Sequence, residues 1–194
     1  PSCLGVQMKI SKRTQIEATV QRLQQLCNSS HPRLSGVRYT EMAGQRHPVD
    51  KYSDEQLFAL MQRVSADGFP ARFEDVWRAE RVRFRETLRR IPTAASPDAS
   101  ILDLGSSRVW LPFFQELLGF CRIVLNTSYP DAGFVSDSLE VQGAEPADVK
   151  MEVFDVERHE FPFDDESFDV VTCLEVLEHL AIDPLAMMAE INRV

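Results

Sequence analysis

Apolar residues recur at two different spacings along the chain, and the spacing changes near residue 95. Before that point they recur every three or four residues, as in Ile16, Val20, Leu23 and Cys27, which is the spacing of one helical face. After it they form short runs such as "ILDL" and "CRIVL", which are typical of buried strands. The pattern predicts a helical first part and a sheet-forming second part.

Three helices are predicted in the first part, two of them from N-terminal capping signals. Thr14 with Glu17, and Ser53 with Gln56, have the spacing of a capping box. The third helix is predicted over about residues 74–90. Its buried face is expected to consist of Phe73, Val76, Trp77, Phe84 and Leu88.

Arginines crowd the third predicted helix, at Arg78, Arg81, Arg83, Arg85, Arg89 and Arg90. A run of charge usually marks a solvated helix surface, and this interpretation is preferred. The alternative is a wall that faces an anion, or a cap over an active site.

Four strands alternate with helices in the second part: "ILDLG", "CRIVLN", "VKMEVFDV" and "SFDVVTCL". Helices are predicted at "VWLPFFQELLGF", where Pro112 is tolerated in the first turn, and at "EVLEHL". A last helix is predicted with Asp183 as N-cap and Pro184 at its first position, with Leu185, Met188 and Ile191 on its inner face. Such alternation predicts an α/β fold with a mainly parallel, Rossmann-like, doubly wound sheet.

The segment "IPTAASPDAS", residues 91–100, separates the two patterns and is interpreted as a linker. Residues 1–95 are therefore predicted to be a helical N-terminal extension or cap. Residues 96–194 are predicted to be the Rossmann-like core.

Composition and charge narrow the class of protein. No apolar run approaches the length of a membrane span, and the cysteines Cys3, Cys27, Cys121 and Cys173 form no C-x-x-C pair, so reduced thiols in a cytoplasmic protein are expected. Residues 1–95 carry a net charge of +6 and residues 96–194 one of −15. The acidic half lacks the basic face of a generic nucleic-acid binder, so no nucleic acid is expected as a partner.

Polar residues follow each predicted strand, where ligands of an open α/β sheet bind. With Gly105 counted as the first position, a dinucleotide loop needs glycines at the third and sixth positions, but Ser107 and Trp110 stand there. No G-x-x-x-x-G-K-[ST] segment is present, which excludes a P-loop.

Residues 101–194 resemble the first half of a class I S-adenosylmethionine-dependent methyltransferase of the small-molecule type. The strongest segment is "FDVERHEFPFDDESFDVVTCLEVLEHL", and "ILDLGSSRV" is a weaker first motif. The resemblance implies S-adenosyl-L-methionine as cofactor and a small molecule, sugar or lipid-linked glycan as acceptor. Two departures are Ser107 and Val109 in place of glycines, and Asn126 in place of the usual acid after the second strand.

The resemblance also implies which residues bind the cofactor. Gly105, Ser106 and Ser107 would surround its methionine part, with Asp103 anchoring the loop or the amine. Asn126 and Thr127 would meet the ribose hydroxyls. Asp155 and the backbone N–H of Val156 would meet the adenine, and Leu174 and Glu175 would lie beside cofactor and acceptor.

Glu175, Glu178 and His179 have the spacing of one helical face. Some metal-dependent RNA methyltransferases use a similar E-x-x-E-H with a further histidine, but none follows His179, so no metal is expected. A metal-assisted RNA methyltransferase is therefore kept only as the less favoured alternative. His179 is the candidate general base for an acceptor hydroxyl, with a structural histidine as the alternative.

The sequence ends before the C-terminal strands that this family normally has, and only four strands are predicted. An incomplete domain is therefore expected, or a second copy of the chain that covers an exposed sheet edge. Besides an active enzyme, the degenerate first motif leaves open a methyltransferase-like binding module without catalysis.

Overall fold

The computed structural model describes residues 46–64, 73–106, 108–128, 141–158 and 160–194. The predicted capping box at Thr14 and Glu17, the helical face from Ile16 to Cys27, and the candidate residue Ser107 lie outside these ranges.

A parallel four-stranded sheet forms the centre of the described residues, as the alternating pattern predicts. Its strands are β1 Ser100–Leu104, β2 Arg122–Thr127, β3 Asp148–Val153 and β4 Val170–Cys173. Their order across the sheet is β3-β2-β1-β4, and every pairing is parallel. Strand β1 lies inside the sheet and all its residues are buried, which explains why Ile101, Leu102 and Leu104 on both faces are apolar.

Helices α1, Asp54–Met61, and α2, Phe73–Leu88, cover one face of the sheet. The capping box at Ser53 and Gln56 is confirmed: Gln56 N–H donates to Ser53 Oγ (3.2 Å), and Ser53 N–H donates to Gln56 Oε1 (2.8 Å). The side chains of α1 and α2 share a core with Ile101 and Ile123 of the sheet.

Aromatic rings connect α2 to the segment that follows β1. Ring centroids are 5.4 Å apart for Trp77 and Phe84, 5.0 Å for Phe84 and Trp110, and 6.0 Å for Trp110 and Phe113. Such pairs add about 0.5–1.5 kcal/mol each beyond the area that they bury. Trp110 is therefore a core residue, which agrees with its exclusion as part of a dinucleotide loop.

Helix α3, Pro184–Arg193, packs on the opposite face of the sheet against Leu102 and Leu104. Its predicted start is confirmed, because Asp183 Oδ1 accepts from the N–H groups of Leu185 (3.0 Å) and Ala186 (3.3 Å). Phenylalanines 154, 161, 163 and 168 complete this second core.

Three local predictions are wrong, the first two of them only in part. Val76 is 41% exposed, because the phase of α2 is set by Trp77, Phe84 and Leu88. The inner face of α3 is centred on the fully buried Met187, with Met188 and Ile191 at its flank and Leu185 outside that core.

The third wrong prediction is the helix at "EVLEHL". Only Leu177–His179 form a short 3-10 turn, and Glu175 has the left-handed φ of 59°, which no α-helix tolerates. Glu175, Glu178 and His179 therefore do not share one face of an α-helix.

Candidate functional site

The ends of all four strands meet at one edge of the sheet, because the strands are parallel. Gly105 follows β1, Asn126 lies at the end of β2, Asp155 follows β3 and Leu174 follows β4. Direct contacts link Gly105 to Asn126 and to the turn after β4. The fold thus brings together most of the residues that the sequence singles out.

Asp103 is a buried carboxylic acid in β1, only 1% exposed. Its Oδ1 accepts from the hydroxyl of Thr172, its neighbour on β4, at 2.7 Å. Burial raises the pKa of Asp103 to about 6, against the opposing effect of the Ser106 and Thr172 hydroxyls. The Ser106 hydroxyl is close enough to have this effect but falls short of a regular hydrogen bond.

Two buried polar atoms remain available beside the turn that follows β1. Within the described ranges, Asp103 Oδ2 and Ser106 Oγ are buried and make no hydrogen bond. A buried polar atom without a partner costs about 1–3 kcal/mol, so such atoms suit a ligand that can supply the partner. The ammonium and carboxylate groups of an amino-acid-bearing cofactor fit this need.

Gly105 makes a tight turn for which glycine is required. Its φ is +63°, and a Cβ atom would lie 2.5 Å from Cγ2 of Val176. The turn after β4 therefore packs directly on the turn after β1, and a side chain at position 105 would separate them.

Asn126 is completely buried and connects three strand ends. Its Oδ1 accepts from Gly105 N–H (3.3 Å), and its Nδ2 donates to the carbonyl oxygen of Phe154 (3.0 Å). Its backbone carbonyl accepts from Ser106 N–H at 2.9 Å. The predicted ribose contact thus concerns a side chain that the structure already engages with backbone on both sides.

Asp155 begins a turn that is held by its own side chain. Its Oδ1 accepts from Glu157 N–H at 3.0 Å, and its Oδ2 lies 3.2 Å from Nε of Arg158. The neighbouring Val156 is buried in the second core.

Glu157 accepts hydrogen bonds from three successive backbone N–H groups, those of Ala181 (3.0 Å), Ile182 (2.6 Å) and Asp183 (3.1 Å). The turn after β3 is thereby attached to the start of α3. Sequence reasoning missed this role, since nothing local relates residue 157 to residues 181–183.

Glu175 reaches out from the turn after β4 and forms an ion pair with Arg83 of α2. Arg83 also donates from Nε to Glu80 (3.0 Å) and lies over the ring of Phe84. The pKa of Arg83 is raised by Glu80 and Glu175, although its partial desolvation acts in the opposite direction.

The other arginines of α2 and of the turn after it bond within this segment or to residues 49–54. Four of them are exposed, as the interpretation of a solvated surface predicts, whereas Arg85 is largely buried. Among the ion pairs that the arginines of this segment, Arg83 included, form with described residues, only the Arg83–Glu175 pair reaches the carboxyl edge of the sheet. The link of Arg83 to Glu175 was not predictable from sequence.

His179 and Glu178 are exposed in the 3-10 turn after β4. Cys173, at the end of β4, has its pKa raised to about 11 by burial, with the charges of Asp103 and Glu178 acting in the same direction. This thiol is therefore protonated at neutral pH and is not a ready nucleophile. Among the described residues, no group of three or more His, Cys, Asp or Glu side chains is arranged to hold a metal ion.

Residues 113–194 match the family model described as a methyltransferase domain. Members of this family bind S-adenosylmethionine as methyl donor. The match includes Asn126, Asp155 and Glu175, whereas Asp103 and the Gly105 turn precede it. No curated protein matches the chain.

Two solved structures are similar. One is the complex between the Haloferax volcanii Trm112 methyltransferase activator and a protein described as a methyltransferase, with 25% identity, a TM-score of 0.44, and coverage of 60% of this chain and 50% of that one. The other is the YcgJ protein from Bacillus subtilis, with 21% identity, a TM-score of 0.42, and coverage of 56% and 44%. The chain thus spans half or less of the length of these proteins.

No helix in the described parts of the chain has the length and apolar character needed to cross a bilayer.

Proposed function

We propose that this chain transfers a methyl group from S-adenosylmethionine to a small-molecule, sugar or lipid-linked acceptor in the cytoplasm. The observation that carries the proposal is the pair of buried polar atoms, Asp103 Oδ2 and Ser106 Oγ, beside the Gly105 turn. They lie at the sheet edge where this fold binds ligands, next to the part of the chain that matches the methyltransferase family.

Different residues at this edge are assigned to different parts of the cofactor. Asp103 and Ser106 are assigned to its methionine part, where a carboxylate and a hydroxyl meet an ammonium and a carboxylate group. The end of β2 at Thr127 is assigned to the ribose. Asp155 and Val156 are assigned to the adenine, while Leu174 and Glu175 lie on the side toward the acceptor.

Bound S-adenosylmethionine supplies a methyl group that is already activated on a sulfonium. The protein therefore has to position the acceptor in line and exclude water, and positioning alone can supply much of the rate. His179 is the candidate base for an acceptor hydroxyl, because it is exposed on the turn that follows Glu175. Helix α2, linked to that turn through Arg83, is assigned to the acceptor side of the site.

Calorimetry of the full chain with S-adenosylhomocysteine tests the proposal. We expect a single binding site, and weaker binding in Asp155→Ala. The matched control is Asp98→Ala, an exposed aspartate near the opposite end of β1. No binding by a folded sample would contradict the proposal, and an unchanged affinity in Asp155→Ala would contradict the adenine assignment alone.

A methyltransferase-like binding module without catalysis is the second candidate. It is favoured by Asn126, whose side chain is engaged with backbone, and by Asp155, whose carboxylate is engaged within its own turn. A crystal grown with S-adenosylhomocysteine separates the two candidates. Electron density for the ligand beside Gly105 and Asp155 would count against the module, whereas a closed cleft would favour it.

A further inference from the structure

Asn126 stands where the resemblance implies a ribose ligand, yet its surroundings are those of a residue that joins backbone segments. The side chain is fully buried, its Oδ1 accepts from Gly105 N–H, and its Nδ2 donates to the Phe154 carbonyl. Two further carbonyl oxygens, of Thr127 and Glu152, lie 3.4 Å from the same Nδ2. A donor is therefore surrounded by acceptors on the β3 side.

This environment suits an amide and excludes a carboxylate. An amide offers both an acceptor, for Gly105 N–H, and two donors, for the carbonyl groups at the ends of β2 and β3. An ionised aspartate offers acceptors only, so its second oxygen would face carbonyl oxygens in a buried position. The change from the acid expected after the second strand to asparagine thus follows from what position 126 contacts in this chain.

We infer that Asn126 is a positioning residue, which fixes the Gly105–Ser106 turn against the end of β3 so that the cofactor groups can meet it. The backbone supports the same link, since Ser106 N–H donates to the Asn126 carbonyl at 2.9 Å. On this assignment the Asn126 side chain does not bind the ribose hydroxyls. The role toward the cofactor rests on the proposed function. The link that Asn126 makes between the Gly105–Ser106 turn and the end of β3 does not depend on that proposal.

The first test compares two ligands, S-adenosylhomocysteine and its 2′-deoxyribose analogue, with the full chain and with Asn126→Ala. A positioning residue predicts that the substitution weakens binding of both ligands by the same factor, about tenfold. A ribose ligand predicts a smaller loss for the analogue, which lacks the hydroxyl, and that result would overturn the inference.

The second test uses Asn126→Asp, which restores the expected acid. Because its carboxylate would face carbonyl oxygens, we expect a lower melting temperature at pH 7 and about tenfold weaker S-adenosylhomocysteine binding. At pH 5 the new carboxyl group can be protonated and donate again, so the deficit in melting temperature should shrink. The carboxyl groups nearest in the fold, those of Asp103 on β1, Glu152 on β3 and Asp155 just after β3, are present in both proteins, so the pH profile of the parent chain is subtracted.

The outcomes distinguish a failure of the positioning role of Asn126 from a failure of the proposed function. Tighter cofactor binding by Asn126→Asp, or a deficit in stability that does not depend on pH, would overturn the positioning role. If the parent chain binds no S-adenosylhomocysteine, the proposed function fails, and the pH-dependent melting still tests the structural role of Asn126.

Discussion

The turns that follow β1 and β4 each contain a residue with positive φ, which is a glycine in the first turn and a glutamate in the second. Gly105 has φ +63° and Glu175 has φ +59°, and Val176 brings the two turns into contact. Glycine adopts this conformation at little steric cost, whereas for a glutamate it is a strained state that costs of order 1–3 kcal/mol.

The two positions differ in what their surroundings require of the residue. At position 105 the need is space, since Val176 occupies the place of a side chain. At position 175 the need is a side chain, since Glu175 keeps an ion pair with Arg83 although glycine would relieve the backbone. That pair is largely exposed, so it contributes little stability and does not offset the backbone strain at Glu175.

Gly105→Ala should have the largest effect on this arrangement. The new Cβ would overlap Val176 and adopt an unfavourable φ, so we expect a loss of about 2–4 kcal/mol in the free energy of unfolding. Denaturant unfolding measures the loss. The control is Gly119→Ala, where φ is +82° but the nearest atom lies 3.7 Å away, and a loss of about 1 kcal/mol is expected.

The double variant Gly105→Ala with Val176→Ala refines that prediction, because it removes the overlap and leaves only the strain. Partial recovery of stability is expected. Equal losses in the Gly105 and Gly119 variants would contradict the contact between the two turns.

Asp103, beneath the Gly105 turn, should make stability depend on pH. Its pKa is raised to about 6 in the folded state from 3.8, so the folded state binds the proton more tightly than the unfolded state. Stability from this group is therefore fully present below pH 4 and is lost as pH rises through about 6, by roughly 2–3 kcal/mol. Denaturant unfolding between pH 4 and 7 should show this decline.

Asp103→Asn is the matched control for that decline, since a neutral amide of the same shape does not titrate. The difference in unfolding free energy between the two proteins should grow from pH 4 to pH 7. A constant difference would mean that Asp103 is ionised throughout this range.

Glu175→Gly should stabilise the fold by about 0.5–1 kcal/mol, because glycine relieves the left-handed backbone. Glu175→Ala keeps the strain and should gain nothing, so the two melting temperatures are compared directly. If both variants gave the same melting temperature, the backbone at position 175 would not be strained.

Arg83→Met should have the smallest effect, below about 0.5 kcal/mol, because the Arg83 side chain is 42% exposed. The comparison is Arg85→Met, whose guanidinium is largely buried and bonds to Asp54 and to the carbonyl groups of Val49 and Tyr52. There we expect a loss of about 2–3 kcal/mol. A large loss for Arg83→Met would make its ion pair structural.

Local elements were predicted well from sequence, because each of them is specified by the residues of its own short segment. The capping box at Ser53, the N-cap at Asp183 and the four strands are of this kind. The "EVLEHL" helix was wrong because the left-handed backbone at Glu175 interrupts residues with good helical propensity, and the residues that this turn contacts, Gly105 and Arg83, are distant in sequence.

The candidate site was predictable as a set of strand ends but not as a set of contacts. Asp103 was singled out, yet its partner Thr172 is 69 residues away and is set by the register of β4 on β1. Asn126 was singled out for a ligand, while its own contacts are with backbone atoms that no sequence pattern specifies.

The contacts of Glu157 have a consequence for the motion of the turn after β3 and the start of α3. The Glu157 carboxylate accepts hydrogen bonds from the N–H groups of residues 181–183. Exchange of these amide hydrogens with solvent therefore requires that the hydrogen bonds to the turn after β3 break. The adenine side of the proposed site and the start of α3 should therefore open as one cooperative unit. Their exchange rates would report motion at this edge even without a ligand.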